Sequence, residues 1–177
     1  MKWFTIILIA GAMLVFRDRC TARDAVSPTN TPALIELSDQ YNHPQHLSFP
    51  TTNITLLTIA DRKGSEQITG WVSAVKRHFG QQIDIRGIAD VSGVPGPLRG
   101  FIRKKFQKIQ SYPVMMDWSG DTVKAFPCVA GEANIFVISC NGQILRRFDG
   151  EADKHSLQKL YQVVESELKP LRKREKE

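Results

Sequence analysis

Three cysteines, a pair of neighbouring histidines and one densely charged turn are the parts of this sequence that could do chemistry. A thiol attacks, or exchanges a disulfide, only as the thiolate, so it needs a setting that lowers its pKa. Cys20, Cys128 and Cys140 offer no Cys-x-x-Cys pair. Cys128 and Cys140 would invite a disulfide reading in an oxidising compartment, but chain geometry argues against it. Cys128 stands just before the loop that leads into the strand "ANIFVISC", and Cys140 closes that strand. Such a strand spans about 20 Å at about 3.3 Å per residue, whereas bridged Cα atoms lie within about 7 Å. Cys140 therefore reads as a small core or strand-end residue. Cys128 keeps two readings, a displaced reactive thiol or a second buried cysteine.

His43 and His46 in "NHPQH" have the residue type of metal ligands but lack a nearby third ligand, and Pro44 stands between them. They read as the wet tip of a hairpin, and neither a metal nor a cofactor is expected. The turn "DRKGSEQ", residues 61–67, precedes a helical pattern. Unbonded N–H groups at a helix start attract anions. A small anion or an acidic partner could thus dock at Arg62, Lys63 and Ser65, against the plainer reading of a turn that is simply charged. The Asn53-Ile54-Thr55 glycosylation match falls at a strand start and carries little weight.

The elements that must position these residues are legible as alternations of period. "ALIELSDQYNHPQHLSFP" sets two short apolar runs around a polar turn, which is a hairpin signal. "NITLLTIA" (53–60) is apolar on both faces, as a central strand is. Ile68, Trp71, Val72, Val75 and Phe79 form one helical stripe. Ser65 is placed to cap that helix and Gly80 to end it. "QIDIRGIAD" (82–90) alternates as a second strand. After the breaker "SGVPGP", Leu98, Phe101, Ile102 and Phe106 make a second stripe. "YPVMMDW" is a third strand, "SGDTVKAF" a short helix, and "ANIFVISC" and "QILRRF" are strands joined at Asn141-Gly142, a strong hairpin signal. Leu157, Leu160, Tyr161, Val164 and Leu168 close the domain with a helix. Helices between the early strands and a hairpin late predict an α/β sandwich, with a central mixed sheet flanked by helices and an N-terminal β-hairpin.

At 177 residues there is room for one domain and its appendages, and the net charge of +6 is modest. Basic residues interleaved with aromatics would mark a nucleic-acid surface. The run from Arg103 to Phe106 is the only hint of one, and it reads as the wet face of a helix, so no nucleic acid is expected. The apolar run at residues 3–16, after Lys2 and before "RDR", is short for a membrane span and suits a secretory leader. Residues 1–22 therefore read as a signal peptide or signal anchor and residues 23–32 as a linker. Residues 33–168 form the domain, and residues 169–177 are a basic tail that reads as a solvated, partly frayed helix end. The expectation is an exported protein, periplasmic or anchored at the outer face of the inner membrane, with a possible tether through residues 3–16.

This order of elements resembles the thioredoxin-like fold in its redoxin form, from about Ala33 to Leu168. "ALIELSDQYNHPQHLSF" is similar to the opening hairpin of redoxins, and "IFVISCNGQILRRFDG" to their strand, turn and return strand. "LLTIADRKGSEQ" stands where that family writes a strand followed by Cys-x-x-Cys, which puts Gly64 and Gln67 at the two cysteine positions. The family's cis-proline position falls near Ala133. The pattern "SGVPGPLRGFIRKKF…YP…KAF" is similar to the YtfJ-type exported redoxin-like proteins. The resemblance implies a redoxin frame without its thiol pair, hence a binding or accessory protein of the cell envelope. Its ligand, an unknown protein or small anion, would meet the vacated turn at Arg62, Lys63, Gly64, Ser65, Glu66 and Gln67. The rival is an atypical thiol oxidoreductase or peroxidase working through Cys128. Cysteines restored at positions 64 and 67 would, on this alignment, stand one turn apart and pair.

Overall fold

The computed structural model describes residues 31, 32 and 34–174. The opening hairpin pairs β1 (Leu34–Ser38) with β2 (Pro44–Ser48), and its register sets Ile35 opposite Leu47, both buried. Asp39 shapes the polar turn between them: its Oδ1 accepts the N–H groups of Tyr41 and His43, at 2.8 and 2.9 Å. His46 lies against Glu36 at 3.2 Å on the exposed face. Gln40, the residue after Asp39, is fully buried and ties the hairpin to the sheet. Its side chain donates to the Tyr112 carbonyl at 2.9 Å and accepts the Val114 N–H at 2.8 Å.

The main sheet has five strands in the order β5 (Met115–Asp117), β4 (Ile83–Asp90), β3 (Ile54–Ala60), β6 (Asn134–Ile138), β7 (Ile144–Asp149). β3, β4 and β5 run parallel, and β6 and β7 are antiparallel additions at the other edge. The helices α1 (Ile68–Phe79) and α2 (Arg99–Ile109) are the crossovers that parallel neighbours require. A short α3 (Asp121–Lys124) follows β5, and α4 (Lys154–Arg174) closes the chain. This is the mixed sandwich that the order of patterns predicts.

Alternation along the strands sorts the core into two faces. Ile54, Leu56, Ile135 and Val137 meet Trp71, Val75 and Phe79 of α1 and Leu160, Val164 and Leu168 of α4. Leu57, Ile59, Phe136 and Ile138 point the other way, to Ile35, Leu47 and Phe126. Trp71 sits at the centre of the first face, fully buried, its ring tilted against Phe148 with centroids 5.5 Å apart, and it donates through Nε1 to the Gly150 carbonyl at 2.9 Å.

Two local expectations change. Leu98 and Phe101 are 52% and 67% exposed, and α2 has no fully buried residue. Only Ile102 and Phe106 of that stripe reach the core, against Ala89, Val91 and Met116. At the start of the domain, Thr31 belongs to the fold rather than to a linker, because its N–H and hydroxyl both bond the Gly142 carbonyl, at 3.0 and 2.9 Å. At the other end, α4 runs on to Arg174, in keeping with a basic tail that begins as a helix end. The apolar run 3–16, the signal and Cys20 lie outside the described residues. Among those described, no helix is long and apolar enough to cross a membrane.

Candidate functional site

β3 ends at Ala60, and Asp61 then organises the whole turn. Its Oδ1 accepts the N–H groups of Lys63 and Gly64 at 2.9 and 2.8 Å, and its Oδ2 accepts that of Gly131 at 2.7 Å. The backbone closes the rest. Ser65 N–H donates to the Asp61 carbonyl at 3.0 Å, Glu66 N–H to Lys63 at 3.4 Å and Gln67 N–H to Gly64 at 3.0 Å. Residues Gly64–Glu66 form a single 3-10 turn, and α1 begins only at Ile68. Two expectations are corrected here. Ser65 does not cap the helix, because its hydroxyl donates back to the Arg62 carbonyl at 2.7 Å. Nor does the turn offer unbonded N–H groups to an anion, because residues 63–67 have all of theirs engaged and Asp61 already supplies the negative charge that a helix start favours. Arg62, Lys63, Ser65 and Glu66 keep exposed side chains at the surface of the turn.

Gly64 is buried against the loop that leads into β6. A Cβ built on it would fall on the carbonyl carbon and oxygen of Glu132 and 2.8 Å from the nitrogen of Ala133. Gln67 seals the same junction, its Oε1 accepting the Ala133 N–H at 2.9 Å. Positions 64, 67 and 133, which the resemblance aligns with the two cysteines and the proline, are thus in mutual contact. The contact is made by backbone and an amide, with no room for a side chain at 64. A cysteine pair restored there would have to displace this loop first, which corrects the expectation that it would form freely.

The loop is held by Asn134, the first residue of β6. Its Oδ1 accepts the Val129 N–H at 2.7 Å, and its Nδ2 donates to the carbonyls of Val129 and Glu132, both at 3.0 Å. A buried asparagine at the head of the apolar strand "NIFVI" was the available sign of this role, as was an aspartate three residues before a glycine for that of Asp61.

Cys128 is half-buried against the hairpin-side core and Cys140 lies near the Thr52 carbonyl, at 3.5 Å; both are free thiols. Burial pushes the Cys128 thiol up to about 11, with Arg147 pulling down and Asp90 pushing up by less. The Cys140 thiol is raised too, again chiefly by burial. Neither environment favours a thiolate near neutrality.

Beside the turn, between α1 and α2, lies a cavity of about 530 Å³. Its floor is made of the C-terminal halves of β3 and β4, where Thr58, Ala60, Gly87 and Ala89 occupy successive positions on one face. Such small side chains cannot fill the gap beneath two helices. Ile68 and Val72 of α1 and Ile102 and Phe106 of α2 wall it, and Arg62, Ser65 and Lys105 stand at its edge. The sign of this cavity in the sequence is the alternation of small residues in "TIA" and "GIA", which the apolar average of those strands conceals.

No protein-family model and no curated protein matches the sequence. Solved structures do match in fold. A chain assigned as thiol:disulfide interchange protein DsbE, from Chlorobium tepidum, superposes with a TM-score of 0.61 at 15% identity, over 80% of this chain and 96% of that one. The peroxidoxin BcpB of Mycobacterium tuberculosis gives 0.55 at 14% identity, over 78% and 96%. An exposed lipoprotein thioredoxin of Streptococcus pneumoniae gives 0.55 at 14% identity, over 72% and 99%. With a mixed five-strand sheet, flanking helices and an N-terminal hairpin, this chain has the thioredoxin-like fold in its redoxin form.

Proposed function

We infer that this chain is an exported, thioredoxin-like binding or accessory domain of the cell envelope that does not perform thiol–disulfide exchange. One observation carries the reading: the position aligned with an attacking thiol is Gly64, packed so closely on Glu132 and Ala133 that no side chain fits. A redoxin needs both a thiolate and an open backbone edge beside it to hold a substrate disulfide. Here the aligned edge is spent on Gln67. The rival, peroxide or disulfide chemistry through Cys128, is disfavoured by a thiol held at about 11. Export rests on the apolar N-terminal run, and the presence of an exposed lipoprotein among the structures of like fold is consistent with it.

The test is a pair of turnover assays on the purified chain, reduction of insulin disulfides and consumption of hydrogen peroxide with dithiothreitol as reductant. Both should run at background. Turnover that Cys128→Ser abolishes would replace this reading with the thiol enzyme. Fractionation, with N-terminal sequencing of the protein recovered from the envelope, tests export separately.

A further inference from the structure

We propose that the cavity between α1 and α2 binds an amphiphilic monocarboxylate, its acyl chain between the helices and its head at Arg62 and Lys105. The proposal deepens the reading of a binding domain and rests on it. The volume, about 530 Å³, lies within the range of about 300–1,000 Å³ typical of small-molecule sites. The lining suits an acyl chain, since Ile68, Val72, Ile102 and Phe106 supply apolar walls over a floor of small residues.

Helix α2 adds a second observation. Phe101 and Ile109 both border the cavity and are 67% and 61% exposed, on a helix with no buried residue of its own. An apolar guest would cover the inner flanks of both side chains and so remove apolar surface from water.

The charges at the cavity decide the head group. Two carboxylates line it, and both are satisfied internally. Asp61 accepts three backbone N–H groups, and Asp90 accepts the N–H and hydroxyl of Ser92 at 3.1 and 2.7 Å. The cations are not matched in this way. Arg62 and Lys105 are exposed at the edge, and neither forms an ion pair among the described residues. A carboxylate is the complementary group, and a guanidinium can hold it through two parallel hydrogen bonds.

The experiment is titration of the full-length chain with laurate, dodecylamine and acetate, followed by calorimetry and by displacement of a dansyl-labelled undecanoate. Laurate should bind and displace the dye. Dodecylamine should bind at least about tenfold more weakly, the loss expected when a charge-assisted pair is replaced by like-charge contact. Acetate should not bind measurably. Val72→Phe, which places a ring in the cavity, should abolish laurate binding while its melting temperature stays at or above that of the parent. Arg62→Glu with Lys105→Glu, both on the surface, should weaken laurate by at least about tenfold and leave the melting temperature unchanged. The proposal is overturned if laurate does not bind, if Val72→Phe binds it as well as the parent, or if dodecylamine binds equally. It is also overturned if sedimentation shows a second copy of the chain covering α2, as a dimer that Phe101→Ser dissociates. Failure of laurate with both turnover assays at background would remove only this proposal, whereas Cys128-dependent turnover would remove the reading beneath it.

Discussion

Replacing Gly64 by alanine should destabilise the domain by about 2–4 kcal/mol, and the sign of that effect is the informative part. Gly64 has no backbone conformation that a side chain would resist. At an unobstructed position of this kind, glycine to alanine stabilises by about 0.4–1 kcal/mol, because the unfolded chain loses freedom. The obstruction here is the peptide between Glu132 and Ala133, which a Cβ would overlap. Overpacking of a close-packed site costs about 1–3 kcal/mol. The route of relief is to swing the loop away, which breaks the bond from Ala133 N–H to Gln67 and the bond from Gly131 N–H to Asp61. The first is worth about 0.5–1.5 kcal/mol net and the second, to a charged acceptor, about 1.5–3 kcal/mol. The assay is urea unfolding followed by circular dichroism. With a slope of about 2 kcal/mol per molar, the midpoint should fall by about 1–2 M while the slope is unchanged. A midpoint that stays put or rises would show that the loop yields freely, and the idea of a filled redox position would fail with it.

Further outcomes follow from two side chains, Trp71 and Cys128. Trp71→Ala should cost about 3–5 kcal/mol, the range for deleting a buried aromatic, since Trp71 is fully buried and its indole N–H is bonded to Gly150; a midpoint indistinguishable from the parent would mean that α1 does not rest on the sheet through this residue. For Cys128, a thiol at about 11 rather than the ordinary 9.0 implies a thiolate fraction at neutral pH about a hundredfold below that of an unhindered cysteine. Iodoacetamide should label it correspondingly slowly, and labelling at the rate of free cysteine would contradict the burial. The same shift has a stability consequence. Above about pH 9 the unfolded thiol ionises while the folded one keeps its proton, so the Cys128 contribution is fully present below that pH and declines as pH rises toward 11. Cys128→Ser should flatten that part of the stability profile.

Much of the fold was legible because the strands and helices are built on strong periods. Ile68 to Phe79 and Leu157 to Leu168 carry helical stripes, and both are buried where the stripes say. The second helix shows the limit of that reading. Its stripe is as regular as the first, yet Leu98 and Phe101 face water, because periodicity marks one side of a helix and not how deeply its partner surface reaches. That depth is set by Thr58, Ala60, Gly87 and Ala89, whose small size leaves the space that α2 spans. The turn was legible in place but not in wiring. Ser65 has the residue type of a cap, but Asp61 is nearer the strand and reaches two N–H groups with one oxygen and the Gly131 loop with the other. A bond between residues 61 and 131, like the overlap of 64 with 132, depends on tertiary proximity that no local pattern encodes.

The bond between Thr31 and Gly142 also fixes a direction. Gly142 lies in the turn between β6 and β7, beyond the end of β6 at which Ile138 pairs with Thr55. The turn at residues 61–67 lies beyond the other end of β3, where Ile59 pairs with Asn134. The length of a seven-residue strand, about 23 Å at about 3.3 Å per residue, therefore separates the point where the preceding chain joins the domain from the turn with its exposed cations. A surface that holds the chain upstream of Thr31 would meet the domain at its foot. Arg62 and Lys63 would then stand at the head, turned toward whatever diffuses past rather than toward the surface itself.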